Sequence, residues 1–253
     1  MIKHSPFIIA FATVVTAAFP STAEAVASLT GVPAWVASWT TAPQLVEAKD
    51  LPAKPGFSGR TLRQDVRVSV GGSRIRLRFS NEFGRTPLIL SACHVALPAP
   101  GGAIVPQTDR PLSFSGHDRI SIPAGAYVLS DTLSFDLPAL SDLAITLCVE
   151  KEPAEVTGHP GSRTTSYLSP GLSPEMVEMQ SGVSLDHWYI IKGIDVENTV
   201  NRGAVAILGD SLADGRGSTT NGNDRWPVSS AGIYFALDGA PHLLDGDKDH
   251  SSI

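Results

Sequence analysis

Ser211 is the side chain whose type and context best fit a nucleophile. It follows the continuous apolar run Ala204-Val205-Ala206-Ile207-Leu208 and sits in Gly209-Asp210-Ser211-Leu212, ahead of Ala213-Asp214-Gly215-Arg216-Gly217-Ser218-Thr219. An apolar run without alternation predicts a strand buried on both faces of a parallel sheet. A serine just after such a strand projects its hydroxyl from the carboxyl edge of the sheet. Its N–H, near a helix start, can donate to an oxyanion. The GxSxG pattern of the nucleophile elbow is absent, and a lone Gly-Asp-Ser also fits a turn followed by a helix cap. A serine hydroxyl is a poor nucleophile without a nearby base. Downstream, His250 has Asp247 three residues before it, an Asp-x-x-His spacing, whereas His242 has no Asp at that offset. Upstream, His94, His117, His159 and His187 fall in β-patterned sequence and read as structural or surface residues.

The elements that position these residues divide in two. From about 30 to 200 the pattern is mainly β. Its clearest unit is Asp65–Phe79, where Val66, Val68 and Val70 alternate with polar residues before Gly71-Gly72, and Ile75, Leu77 and Phe79 alternate after it. Two glycines between alternating runs predict a hairpin, because primed turns need positive φ. A two-residue loop pairs Val68 with Ile75, Val66 with Leu77, Asp65 with Arg78 and Arg67 with Arg76. The arginine face (Arg67, Arg74, Arg76, Arg78) is then a solvated face or a surface for an anionic ligand or partner. Further strands are expected at 88–97, 119–122, 127–129, 132–137, 143–149 and 188–196. Many short strands with Gly/Pro turns predict a sandwich or jelly roll. Residues 151–186, rich in Pro, Gly, Ser and Glu, read as a long surface connection.

Composition bounds the rest. Charged residues are 17% and hydrophobic residues 42%, which excludes a disordered chain. The net charge of −6 disfavours a nucleic-acid partner. Residues 1–25 read as a secretory signal peptide: Lys3 and His4, an apolar run over 7–19, Pro20, and Ala23-Glu24-Ala25 for cleavage. That run is shorter than the roughly 20 residues that span a bilayer, so no stable membrane insertion is expected and the mature chain is secreted or periplasmic. Export permits a disulfide. Cys93 and Cys148, both in strand-like segments, are either paired or two separate buried thiols, and they are too few for a cysteine-rich zinc site. Asp245, Asp247 and Asp249 imitate a calcium loop but lack its glycine and its closing glutamate, so no metal is assigned. Gly209–Thr219 lacks the GK[ST] of a phosphate loop. Trp35 and Trp39 are a sugar-stacking pair or packing residues.

AILGDSLADGRGSTTNGNDRWP resembles the first conserved block of the SGNH/GDSL hydrolases. WVASWTTAP (35–43), LRQDVRVSVGGSRIRLRFSNEFG (62–84) and TGHPGSRTTSYL (157–168) resemble a secreted bacterial subgroup in which a β-rich domain precedes the catalytic one. The resemblance covers most of residues 33–227. It implies a β-sandwich or jelly-roll-like domain over 30–200, followed over 201–253 by the first strand, turn and helix of an α/β hydrolase domain. It implies Ser211 as the nucleophile of ester hydrolysis, its N–H as an oxyanion donor, and Asp210 as a structural neighbour of the turn. The implied substrate is a small acyl ester, such as an acetylated carbohydrate or a short-chain lipid, with no cofactor. The family also takes a Gly and an Asn from two later blocks, and its base from a late Asp-x-x-His block. No such Gly and Asn blocks are recognisable here. The resemblance stops after Pro227, and the 42 residues after Ser211 hold one helix and one strand, since one βαβ unit takes roughly 30 residues or more, so a doubly wound sheet does not fit. The expectation is a hydrolase domain truncated or frameshifted near codon 227. The alternative function is a non-catalytic β-sandwich module that binds carbohydrate or a cell-surface partner.

Overall fold

The computed structural model describes residues 33–179, 182–198, 207 and 209–225. Residues 1–25, read above as a signal peptide, most of the apolar run before Gly209, His242 and the Asp247–His250 pair lie outside them. The described chain is mainly β, in several antiparallel sheets, with helix present only as three-residue turns. The larger sheet has seven strands. Val183–Leu185, Ser166–Pro170, Arg60–Arg67, Asp142–Lys151, Leu88–Ala96 and Arg110–Leu112 follow in that order, and Ile120–Ile122 also pairs with Leu88–Ala96. The second sheet runs Ala34–Thr40, Ile191–Asn198, Gly72–Ser80 and Tyr127–Leu129, with Leu133–Leu137 also on Gly72–Ser80. A small sheet joins Trp188–Tyr189, Thr157–His159 and Gln44–Leu45.

Strand alternation builds one contiguous core from both large sheets. Leu62 and Val66, Leu143, Ile145, Leu147 and Val149 contribute from one sheet, and Ile75, Leu77, Phe79, Ile194 and Val196 from the other. All are buried, as the period of two requires for one face of each strand.

The expected hairpin does not form. Arg60–Arg67 pairs with Asp142–Lys151 and Ser166–Pro170, whereas Gly72–Ser80 pairs with Ile191–Asn198 in the other sheet. The glycines do not take positive φ. Instead the chain crosses between sheets, and Ser38 fixes the crossing. Its hydroxyl donates to the Val70 carbonyl (2.6 Å) and accepts from the Val70 N–H (2.9 Å), while Ser69 donates to the Ser38 carbonyl through both N–H and hydroxyl. Val66 and Leu77 do reach the same core, but from opposite walls. Four intervening residues suffice to span the roughly 10 Å between packed sheets.

The arginine face is paired internally. Arg74 meets Glu197 at 3.1 Å, Arg76 and Arg78 meet Asp195 at 3.1 and 2.5 Å, and Arg67 meets Asp142 at 3.2 Å. Arg76 also lies 4.2 Å over the Trp35 ring. A register shift between Ala37 and Trp39 turns Trp39 into the core, where it meets Trp188 edge-on at 5.0 Å. The two tryptophans that read as a possible stacking pair therefore serve different contacts.

Segment 151–186 is not simply a surface connection. Ser166–Pro170 is an interior strand of the larger sheet with Leu168 buried, and the loop beyond it covers that sheet's outer face. Fully buried Arg63 pins this cover by donating to Thr146 Oγ1 and to the carbonyls of Gly102, Met176 and Val177. Cys93 and Cys148 are free and buried. Cys93 lies opposite Leu147, and Cys148 opposite Ala92, so the two thiols point to opposite faces of the sheet. Burial raises both thiols above their ordinary range.

Candidate functional site

Ser211 opens a tight turn of helical sense. The carbonyls of Asp210, Ser211 and Leu212 accept from the N–H groups of Asp214, Arg216 and Gly215 at 3.1, 2.8 and 3.0 Å. Asp210 caps the turn, its Oδ1 accepting from the Leu212 N–H at 3.0 Å. Such a cap satisfies an N–H that a helix start leaves unpaired. Gly215 and Gly217, at φ 79° and 95°, end the turn in the left-handed region. Ser211 is exposed, and among the described residues its hydroxyl has no hydrogen-bond partner.

The β body holds this turn by its polar side chains. His159, at the end of Thr157–His159, places Nε2 2.8 Å from Asp214 Oδ1, while its Nδ1 lies 3.0 Å from the Ala42 carbonyl. Both ring nitrogens thus face acceptors. Arg163, at φ 49°, donates to the Asp214 carbonyl at 2.9 Å and accepts from the Asn221 N–H through its own carbonyl, also at 2.9 Å. Gly161 gives Asp214 its space: a Cβ there would lie 2.0 Å from Asp214 Oδ2. Further along, the Asn221 amide pairs with Thr165 in both directions at 2.8 Å, and Asn223 donates to Asp142 at 3.3 Å. Arg225 is buried, donates to the Ser162 carbonyl and lies 4.8 Å over the Trp188 ring.

Trp188 connects this loop to the core. Its indole N–H donates to the Asp65 carbonyl at 3.0 Å, and its ring stacks beside His159 at 6.1 Å. The residues that sequence reasoning missed are therefore His159, Arg163 and Asp214. The stretch TGHPGSRTT carried the available signal, since it holds His159 and Arg163 among glycines, but nothing in one dimension tied it to a loop some fifty residues later. The other described histidines stay within the β body: His94 meets Asp109 at 2.9 Å, His187 donates to the Pro160 carbonyl at 2.7 Å, and His117 forms a backbone bridge with Phe114.

Beside the loop lies a polar cleft of about 360 Å³. Its floor is the outer face of the larger sheet, with Asp65, Arg67, Asp142, Thr165 and Tyr167. One wall is the 98–102 loop, and the other carries Asn221 and Asn223. Burial, and secondarily the Asp142 charge, push the Asp65 carboxyl up to about 7. Its Oδ1 is out of water without a partner. Among the described residues no group of three metal-ligating side chains occurs, and no helix is long and apolar enough to cross a membrane.

Compared with known proteins, the chain matches no family model and no curated sequence.

Proposed function

We propose that this chain carries the β-rich domain and nucleophile turn of a secreted or periplasmic serine ester hydrolase of the SGNH/GDSL type. The observation that supports this reading best is Ser211 itself, exposed at the first position of a capped turn that the β body grips through His159, Arg163 and Asp214. In this reading Ser211 Oγ attacks the carbonyl carbon of a small acyl ester as its proton passes to a base. The Ser211 N–H donates to the oxyanion. The alcohol then leaves with a proton, and water releases the acid from acyl-Ser211. The β body contributes positioning, which is worth as much as chemistry when a nucleophile must be held within about an ångström.

The test is hydrolysis of p-nitrophenyl acetate by the full chain and by Ser211→Ala. The variant is expected to lose activity roughly 100-fold or more. Equal rates would overturn the reading and leave the chain as a binding module with a non-catalytic turn.

A further inference from the structure

We propose that Asn221 is a site of spontaneous deamidation, and that its conversion to a carboxylate loosens the hold of the β body on the loop carrying Ser211. The proposal goes beyond the ester-hydrolase reading and needs no catalytic role for Ser211.

Asn221 precedes Gly222, and residues 219–222 are exposed throughout. Because Gly222 has no side chain, nothing shields its main-chain nitrogen from the asparagine before it. The reaction balances with water alone. The Gly222 nitrogen gives up its proton and attacks Cγ of Asn221. The Cγ–Nδ2 bond breaks, ammonia leaves, and a succinimide ring closes. Water then opens either ring carbonyl, leaving aspartate or its β-linked isomer. Two sets of contacts brake the attack. The Gly222 N–H donates to the Thr219 carbonyl at 3.0 Å. The Asn221 side chain is held by Thr165, its Oδ1 accepting from the N–H and its Nδ2 donating to Oγ1, each at 2.8 Å. The turn itself is closed by the Thr219 N–H on the Asp224 carboxylate at 2.9 Å. Solvent-exposed hydrogen bonds of this kind open locally while the sheets stay closed.

The product cannot return to the same contacts. Thr165 has a single hydroxyl proton, and it is given to Asp186 Oδ1 at 3.1 Å. Oγ1 therefore meets Nδ2 of Asn221 with a lone pair. A carboxylate oxygen in that place would face an acceptor, and Asp186, bonded to the same hydroxyl, would repel it as a like charge. In the β-linked product Cγ becomes main chain. The backbone is then longer by a methylene where Asn221, at φ 62°, donates its N–H to the Arg163 carbonyl at 2.9 Å. Either product weakens the tie between the loop and Thr165, which leads into the strand Ser166–Pro170.

The experiment ages the full chain in heavy-oxygen water at mildly alkaline pH, beside a free peptide of residues 217–225. Mass spectrometry reads the tryptic fragment 217–225, released by cuts after Arg216 and Arg225, which also holds Asn223 as an internal comparison. Asn221 is expected to convert with uptake of heavy oxygen, faster than Asn223 and slower than in the free peptide. Thr165→Val should speed conversion about fivefold, as loss of one ordinary hydrogen bond would. Amide exchange over 211–225 should quicken in the converted fraction and in Asn221→Asp, while the sheets stay protected. Adding Asp186→Asn to Asn221→Asp should restore slow exchange, because an amide at 186 donates to Thr165 Oγ1 and frees its proton for the carboxylate. That pair of variants keeps the test decisive if Thr165→Val folds poorly. Asn221 left intact once the free peptide has converted, or conversion as fast as in the peptide, would overturn the proposal. So would unchanged exchange over 211–225 after conversion, or an Asn221→Asp variant that Asp186→Asn fails to rescue.

Discussion

Asp65 shows how far a single side chain can depart from its sequence reading. Alternation put it on the outer face of a strand, opposite an arginine. Folding places it beside Asp142 and takes its Oδ1 out of water, and burial moves its carboxyl from an ordinary 3.8 to about 7. The folded chain therefore favours protonated Asp65. Because the folded value lies above the unfolded one, this contribution is fully present below about pH 4 and is lost as pH rises through about 7. Asp65→Asn removes the titration. Its stability relative to the unsubstituted chain should improve from pH 5 to pH 8 by about 1–3 kcal/mol, discounted for partial exposure, and denaturant midpoints across that window measure it. A pH-independent difference would contradict burial as the cause. Gly161 makes a second residue-scale case. Gly161→Ala should push Asp214 off His159, cost about 1 kcal/mol in the turn, and speed amide exchange over 211–217 while leaving the sheets protected. Unchanged exchange there would show that the histidine contact does not hold the turn.

At the scale of elements, strands were legible and their partners were not. Alternation located Leu88–Ala96, Tyr127–Leu129 and Leu133–Leu137 to within a residue or so, because a period of two reports which side is buried. It reports nothing about which strand lies alongside, and Val66–Val68 and Ile75–Leu77 satisfy a hairpin and a sheet crossing equally well. Ser38 decides between them through contacts distant in sequence. Segment 151–186 misled for a related reason: its turn-rich composition is real, yet it threads a strand through the larger sheet and then covers that sheet, tied down by Arg63. Arg63→Met should leave the carbonyls of Gly102, Met176 and Val177 unpaired, at about 1–3 kcal/mol for each group left buried. The loss should appear first as faster exchange in 171–179 and around Gly102. Wild-type protection in both segments would mean that water replaces the guanidinium without cost.

For the molecule as a whole, the two sheets, the loop and the cleft form one arrangement. The larger sheet supplies the core on one face and the cleft floor on the other. The Gly209–Arg225 loop returns across this outer face, so Ser211 is presented by a β body rather than by a sheet of its own among the described residues. The sequence by itself determined the mainly β class and the positions of several strands, among them Leu88–Ala96, Tyr127–Leu129 and Leu133–Leu137, because each depends on local periodicity. Only the tertiary structure decided the sheet crossing after Arg67, the opposed thiols, the grip of His159 on Asp214 and the cleft beside Asn223. Each of these joins residues tens of positions apart, and contacts at that range are set by packing and by the pairing of buried polar groups, which no local pattern encodes.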